Sequence, residues 1–460
     1  MKLRTSLLLG AAFATGLVAG PALHRIAATL RITAALADET VPDRADAYHL
    51  LTLYGDVFEK VRADYVEPVK DRDLVENSLN GMLSGLDPHS SYMNQKQWAD
   101  MQVQTKGEFG GLGLEVTEDG GLVKVISPID DTPAARAGMK SGDLILSIDG
   151  KSVEGLSLND AVDKMRGPPG SNISITLKRE KIDKPIDLTL TRETIHIQVV
   201  KSALYNDVGY IRLSSFNEES DPKLREAIDK LKSESKGSLR GLVFDLRNNP
   251  GGLLDQAVDI SEDFIPEGEI VSTRARHPDE SQRWDAKGTD LIEGLPLVVL
   301  INGGSASASE IVSGALQDHR RAVILGTRSF GKGSVQTVIP LGNDGAMRLT
   351  TARYYTPSGR SIQGLGIAPD VEVAESREDD IHYLPDREAD LNRALKNEGA
   401  SAPTKKPATR DDLPPEASKI PEKPPADWPK FDLANPNTDF QLQQGLVLVH
   451  AMAQQRHAAR

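Results

Sequence analysis

The sequence predicts a multidomain α+β protein with a helical N-terminal region, a β-rich domain, an α/β core and a flexible proline-rich tail ending in a helix. Three observations predict it. At 460 residues the chain exceeds what one core ordinarily holds. Apolar residues recur at helical spacing near the N-terminus and again at the very end. Between them, glycine-rich short β runs give way to strands that alternate with helices.

The first element, residues 1–37, reads as an export signal. Lys2 and Arg4 precede an apolar stretch from Leu7 to Val18, and no acidic residue occurs before Asp38. Ala35-Leu36-Ala37 offers a cleavage site, whereas retention would leave residues 6–23 as an anchor just long enough to reach across a bilayer. Both outcomes place the bulk of the chain outside the cytoplasm, and a periplasmic location is expected. Residues 44–103 follow as a helical domain, with Leu50, Leu53, Tyr54, Val57, Phe58 and Val61, then Leu74, Leu79, Met82 and Leu83, on helical repeats.

Composition narrows the function. A formal charge of -13 argues against a nucleic-acid partner, since neutralising phosphates takes clustered Lys and Arg. The absence of cysteine excludes disulfides, thiolate nucleophiles and cysteine-based metal sites. The histidines show no metal-ligand spacing, and no phosphate-binding G-x-x-x-x-G-K-[ST] loop occurs, so neither metal nor cofactor is expected.

Residues 105–193 carry short strands around two short helices. Pro133-Ala134-Ala135-Arg136-Ala137-Gly138-Met139-Lys140-Ser141-Gly142-Asp143-Leu144-Ile145, followed by Ile148-Asp149-Gly150, resembles the signature of a PDZ domain. Such a domain takes an extended peptide as an added strand and holds its terminal carboxylate on backbone amides. The resemblance makes Gly111-Leu112-Gly113-Leu114 the carboxylate loop, with Leu112 and Leu114 beside a pocket for an apolar last side chain.

From 196 to 375 the runs at 208–213, 242–246, 297–301 and 322–325 read as strands, with helices near 221–233, 253–264 and 307–318. This alternation places catalytic loops at strand-to-helix turns. Residues 398–430 then read as a disordered linker, since eight prolines fall between 401 and 430 among charged and small residues. Beyond it, residues 437–457 form an amphipathic helix, with a capping box at Thr438-Asp439-Phe440-Gln441 and an apolar stripe of Leu442, Leu446, Val449 and Ala453. A helix on so long a tether is expected to pack on the N-terminal helices of a second subunit, giving a homo-oligomer.

Two segments carry the chemistry. Asn302-Gly303-Gly304-Ser305-Ala306-Ser307-Ala308-Ser309-Glu310 puts small hydroxyl residues where a buried strand gives way to a helix, and Gly326-Thr327-Arg328-Ser329-Phe330-Gly331-Lys332-Gly333-Ser334-Val335-Gln336 supplies one glycine-flanked lysine. A serine hydroxyl needs a base in contact and donors aimed at the developing oxyanion. A helix N-terminus supplies unpaired amides, of which Ala308 is the natural donor. At the reference lysine pKa of about 10.4 only roughly one amine in two thousand is neutral at pH 7, so Lys332 must be desolvated to act as a base. If 332–336 is extended, Lys332 and Gln336 share a face and the amide can orient the amine. Spacing does not choose among Ser305, Ser307 and Ser309, and Ser307 with Glu310 also satisfies an ordinary helix cap. His319 and Asp318 sit about 18 Å along the same helix from Ser307, too far to act on it.

With Asp245-Leu246-Arg247-Asn248-Asn249-Pro250-Gly251-Gly252, these motifs are similar, in one order from residue 48 to 375, to those of the carboxyl-terminal processing proteases of peptidase family S41. The resemblance implies a crotonase-like α/β core and a serine endopeptidase with a Ser-Lys dyad assisted by glutamine. Motif by motif, it makes Ser307 the nucleophile, Lys332 the general base and Gln336 the orienting residue, with Ala308 joined by Gly251 or Gly252 in the oxyanion hole. Asp245 and Arg247 are expected to tie the strand end to the glycine turn. It implies protein substrates with apolar C-termini, captured by the PDZ domain, and leaves room for an adaptor. The reading from another class is a non-catalytic PDZ scaffold that binds protein C-termini.

Overall fold

The computed structural model describes residues 44–180, 182–377, 387–397, 410–432 and 435–458. The expected signal or anchor, and residues 398–409 of the expected linker, lie outside them. The chain divides into two compact units, Met1–Ser78 and Leu79–Arg460.

In the first unit, α1 (Arg44–Asp64) precedes the start of α2 (Asp71–Ser84). The apolar repeat that predicts α1 lies open: Leu50 is 62 % exposed and Leu53 50 %.

The second unit begins with the end of α2, then β1 (Ser91–Met93) and α3 (Gln95–Lys106). A β-rich domain follows, with β2 (Glu108–Gly111), β3 (Leu114–Asp119), β4 (Leu122–Pro128), α4 (Pro133–Arg136), β5 (Leu144–Ile148), β6 (Lys151–Ser152), α5 (Leu158–Met165), β7 (Asn172–Lys178), β8 (Ile186–Thr191) and β9 (Glu193–His196). Its main sheet runs β3-β4-β5-β7-β8, so β3 is an edge strand; β2 and β9 pair separately. Strand residues Val123, Val125, Ile145, Ile148, Ile173, Ile175 and Leu177 point into one core with Ala161 and Met165 of α5, alternating except where a register shift between Ile145 and Ser147 spaces the two isoleucines of β5 by three.

The α/β core contains β10 (Val200–Tyr205), β11 (Val208–Leu213), α6 (Ser220–Glu234), β12 (Gly241–Asp245), α7 (Leu254–Glu262), β13 (Gly268–Ala275), β14 (Arg283–Ala286), β15 (Leu297–Ile301), α8 (Ala308–Asp318), β16 (Val323–Gly326), β17 (Ser334–Pro340), β18 (Ala346–Tyr355) and β19 (Val371–Glu372). Its main sheet has the order β10-β11-β12-β15-β16-β19, parallel from β11 onward. A second, antiparallel sheet joins β1, β18, β13 and β14, with β17 on β18. In the main sheet Leu242, Phe244, Leu297, Val299 and Ile301 face α6, α7 and α8 through Leu224, Ile228, Ala257, Ile260, Ile311 and Ala315. The intervening Val243, Val298, Leu300, Val323 and Leu325 face the other way, onto α9 (Phe440–Ala458) and the segment before it.

This last packing corrects two expectations. Residues 410–430 are not a disordered linker: they lie against the core, with Ala417 buried, Leu413, Ile420 and Trp428 packed beside it, and Trp428 edge-on to Phe440 at 4.9 Å. Nor does the terminal helix need a second subunit to cover its stripe, because Phe440, Leu442, Leu448 and Val449 are buried on the sheet of their own chain. The reason is in the strands. Leu297-Val298-Val299-Leu300-Ile301 is apolar at every position, as in a parallel sheet buried on both faces, and α6–α8 cover only one. Each of the four α9 side chains removed from water contributes about 1.5–3 kcal/mol. Few anchors therefore hold a proline-rich segment whose composition alone reads as disordered.

Candidate active site

The neighbouring parallel strands β12, β15 and β16 bring three loops together at their C-terminal ends, where open α/β sheets place their crevices. The turn after β15 carries the three serines, and the structure separates them. Ser305 donates its hydroxyl to the Leu246 carbonyl at 2.8 Å and Ser309 to the Asn249 carbonyl at 2.9 Å, both fully buried. Ser307 is 8 % exposed and gives its hydroxyl to no carbonyl among the described residues. Its backbone, with φ 55° and ψ −113°, is not the extended conformation of an ordinary N-cap but a left-handed one that costs about 1–3 kcal/mol in a non-glycine residue. Such strain projects a side chain from the tip of a strand-to-helix turn.

Glu310 joins this turn to the lysine loop. Its fully buried carboxylate accepts from the Ser307 amide at 2.8 Å, the Lys332 amide at 2.9 Å, the Gly331 amide at 2.7 Å and the Ser329 hydroxyl at 2.6 Å. Burial nevertheless outweighs these four donors and pushes its pKa up to about 7. Read from the sequence, Glu310 is only the far end of a capping box, since its partners at 329–332 lie a helix and a strand away.

The Lys332 amine makes no hydrogen bond and no ion pair among the described residues. Burial holds its pKa below the ordinary lysine value and Arg348 pushes the same way, against Glu388, Glu310 and Asp87. Gln336 is not bonded to it. A register shift between Val335 and Gln336 breaks the two-residue alternation on which a shared face depends, and the Gln336 Nε2 donates to Ser334 Oγ at 2.9 Å and Thr350 Oγ1 at 3.3 Å. Thr350 in turn donates to Asp87, which also accepts from Ser90 and the His89 amide. Nearby, His89 meets the buried Glu388 at 2.7 Å, and Glu388 accepts from Gln363. Asp87, His89 and Glu388 are side chains beside the lysine that the sequence reading missed; the polar run Asp87-Pro88-His89-Ser90-Ser91 was the available signal.

The glycine turn after β12 approaches from the other side. A Cβ on Gly251 (φ 97°) would come within 2.8 Å of Ser307 Cβ and 2.9 Å of the Ala308 nitrogen, so only glycine fits. The Gly251 amide is committed to Asn249 Oδ1 at 2.9 Å, whereas the Gly252 and Ala308 amides have no hydrogen-bond partner among the described residues. His319 and Asp318 are occupied elsewhere, His319 on the Glu269 carbonyl and Asp318 on Arg360.

In the β-rich domain, Gly111, Leu112, Gly113 and Leu114 run from the end of β2 into the edge strand β3. Leu112 is buried, while the amides of Leu112 and Gly113 have no partner among the described residues. Gly113 has φ 75°, and a Cβ there would strike Thr132. The loop thus pairs free amides with an open strand edge beside an apolar core.

The comparisons with known proteins define the class as a protease with an attached PDZ domain. Residues 207–373 match peptidase family S41, residues 124–179 a PDZ domain, and residues 31–97 the activating protease CtpB N-terminal domain. The chain is 56 % identical to the carboxy-terminal-processing protease of Bartonella bacilliformis, over 73 % of this chain and 78 % of that one. It is 36 % identical to the carboxy-terminal processing protease CtpA of Bacillus subtilis, over 69 % of this chain and 67 % of that one. Among solved structures it is similar to a photosystem II D1 C-terminal processing protease, 34 % identical with a TM-score of 0.42 over 67 % of this chain and 84 % of that one. The chain belongs to the carboxy-terminal processing proteases.

Proposed function

We propose that this protein is a serine endopeptidase that cuts exported proteins near their C-termini, with Ser307 as nucleophile and Lys332 as general base. The observation that carries the reading is the single Glu310 carboxylate that fixes the backbones of both residues. The neutral Lys332 amine takes the proton from Ser307 Oγ as the hydroxyl attacks the scissile carbonyl, and returns it to the leaving amine. The amides of Ala308 and Gly252 receive the oxyanion; Gly251 contributes shape, because its own amide is occupied. Gln336, held through its Nε2, keeps its Oε1 to accept from the lysine and aim the lone pair at Ser307. Water then attacks the acyl-enzyme by the same route.

The substrate enters by its C-terminus. Its carboxylate lies on the amides of Leu112 and Gly113, its apolar last side chain sits beside Leu112 and Leu114, and its backbone extends the sheet at β3. Export into the periplasm, with or without an anchor at residues 6–23, places the enzyme among such substrates. Delivery by an adaptor belongs to the same proposal, as does a homo-oligomer held by surfaces other than the docked α9.

The test incubates the full chain with an unfolded protein ending in apolar residues, beside Ser307→Ala and Lys332→Ala, and maps the product ends. Cleavage near the substrate C-terminus by the native chain alone is expected. Equal cleavage by all three would remove both residues from the mechanism.

A further inference from the structure

The oxyanion turn is fastened from behind by the last segment of the chain. Arg247 lies between β12 and the glycine turn, with 6 % of its surface exposed. Its guanidinium spans two carboxylates: Asp245 at 3.0 Å (Nε to Oδ1) and 2.7 Å (Nη2 to Oδ2), and Asp439, just ahead of α9, at 2.9 Å (Nη1) and 2.7 Å (Nη2). Nη1 also donates to Gln441 Oε1 at 3.0 Å, and Gln441 Nε2 donates to the Val373 carbonyl at 2.7 Å. Asp439 meanwhile accepts from the Leu442 amide at 3.0 Å, so the carboxylate that holds Arg247 also caps the terminal helix.

The next residues transmit this hold. Asn248 is in the left-handed region at φ 55°, donates its amide to Asn302 Oδ1 at 2.9 Å and accepts from Asn302 Nδ2 at 3.0 Å. Asn302 opens the turn that carries Ser307. Asn249 binds the Gly251 amide with its Oδ1 and the Leu213 carbonyl with its Nδ2, and its own carbonyl accepts from the Ala306 amide at 3.0 Å. A bidentate guanidinium fixes angle as well as distance, and it does so at the residue from which the oxyanion loop departs.

We infer that Asp439 and Arg247 are positioning residues for catalysis: the bond between the docked C-terminal segment and Arg247 sets where the Gly252 amide points, and loosening that bond slows the reaction. The inference rests on the assignment of Ser307 and the oxyanion turn made above, and it gives the segment after residue 410 a part in the reaction.

The test is Asp439→Asn in the full chain. Asparagine still caps α9 but loses the charge on Arg247. With a melting transition retained, kcat falls at least tenfold while KM changes less than twofold, and labelling of Ser307 by a fluorophosphonate slows in parallel, because its transition state needs the same amides. A folded Asp439→Asn chain with native kcat overturns the inference. If that variant does not fold, Asp439→Glu keeps the charge and moves it by one methylene; a folded chain with reduced kcat at unchanged KM supports the inference, and native kcat overturns it. Ser307→Ala, run alongside, keeps the two readings apart: activity in Ser307→Ala sinks the assignment of the nucleophile, whereas inactive Ser307→Ala beside native Asp439→Asn sinks only the role of the C-terminal segment.

Discussion

Ser307 and Lys332 donate their backbone amides to the same oxygen, Oε2 of Glu310, at 2.8 and 2.9 Å, so the two nitrogens lie no farther apart than about 6 Å. The proposed dyad is therefore positioned through its backbone, independently of either side chain. Glu310→Gln keeps the size of the side chain but turns an N–H toward donors that need an acceptor. It is expected to cost about 3 kcal/mol of stability and to lower kcat as the two loops separate. Because burial raises the Glu310 pKa from 4.5 to about 7, its protonated form is favoured in the folded state, and this contribution to stability is lost as pH rises from about 4.5 through 7. Denaturation of both proteins at pH 5 and pH 8 checks the sign: the gap between them should be narrower at pH 8.

The positive φ of Ser307 separates this turn from an ordinary cap. At a normal N-cap, serine to glycine costs a few tenths of a kcal/mol. Here Ser307→Gly should stabilise the chain by about 1 kcal/mol while abolishing cleavage, because glycine adopts φ 55° without strain. A Ser307→Gly melting temperature below that of the native chain would remove the strain from this account.

The terminal helix makes a prediction about stability rather than assembly. Leu448 is fully buried against the second face of the main sheet, so Leu448→Ala should lower the free energy of unfolding by about 3 kcal/mol. Denaturant midpoints measure the loss. Sedimentation on the same samples should give an unchanged mass.

Which parts of this were legible in the sequence follows from how local each signal is. Runs such as Leu242-Val243-Phe244-Asp245-Leu246 declare a buried strand by themselves, and the small residues after Ile301 declare a tight turn into a helix. The same Leu297–Ile301 run, apolar throughout, already implied a cover for the second sheet face, but which distant segment supplies it is settled only by folding. Proline content hid the docking of 410–430, where Leu413, Ile420 and Trp428 are sparse anchors. Gln336 was placed by strict alternation, which one bulge at Val335 defeats. The sequence places Asp245 and Arg247 as a tie between the strand end and the glycine turn; the bond from Arg247 to Asp439 spans 192 positions and leaves no trace in spacing.

With Lys332 as the proposed base, its amine should govern the pH dependence. Desolvation lowers its pKa first and the Arg348 guanidinium lowers it further, while the carboxylates of Glu388, Glu310 and Asp87 raise it. Only the neutral amine accepts a proton, so kcat/KM should climb with pH along a limb that ends below the ordinary lysine value near 10.5. Arg348→Met removes a cation and should move that limb to higher pH, whereas Glu388→Gln removes an anion and should move it to lower pH, each by several tenths of a unit or more. Lys332→Arg keeps a positive charge with no accessible neutral form and should lose activity by about 10²–10⁴-fold at every pH. Opposite displacements in the two charge variants are the signature of an amine titrating between these groups; a limb that stays fixed in both would place the essential base elsewhere.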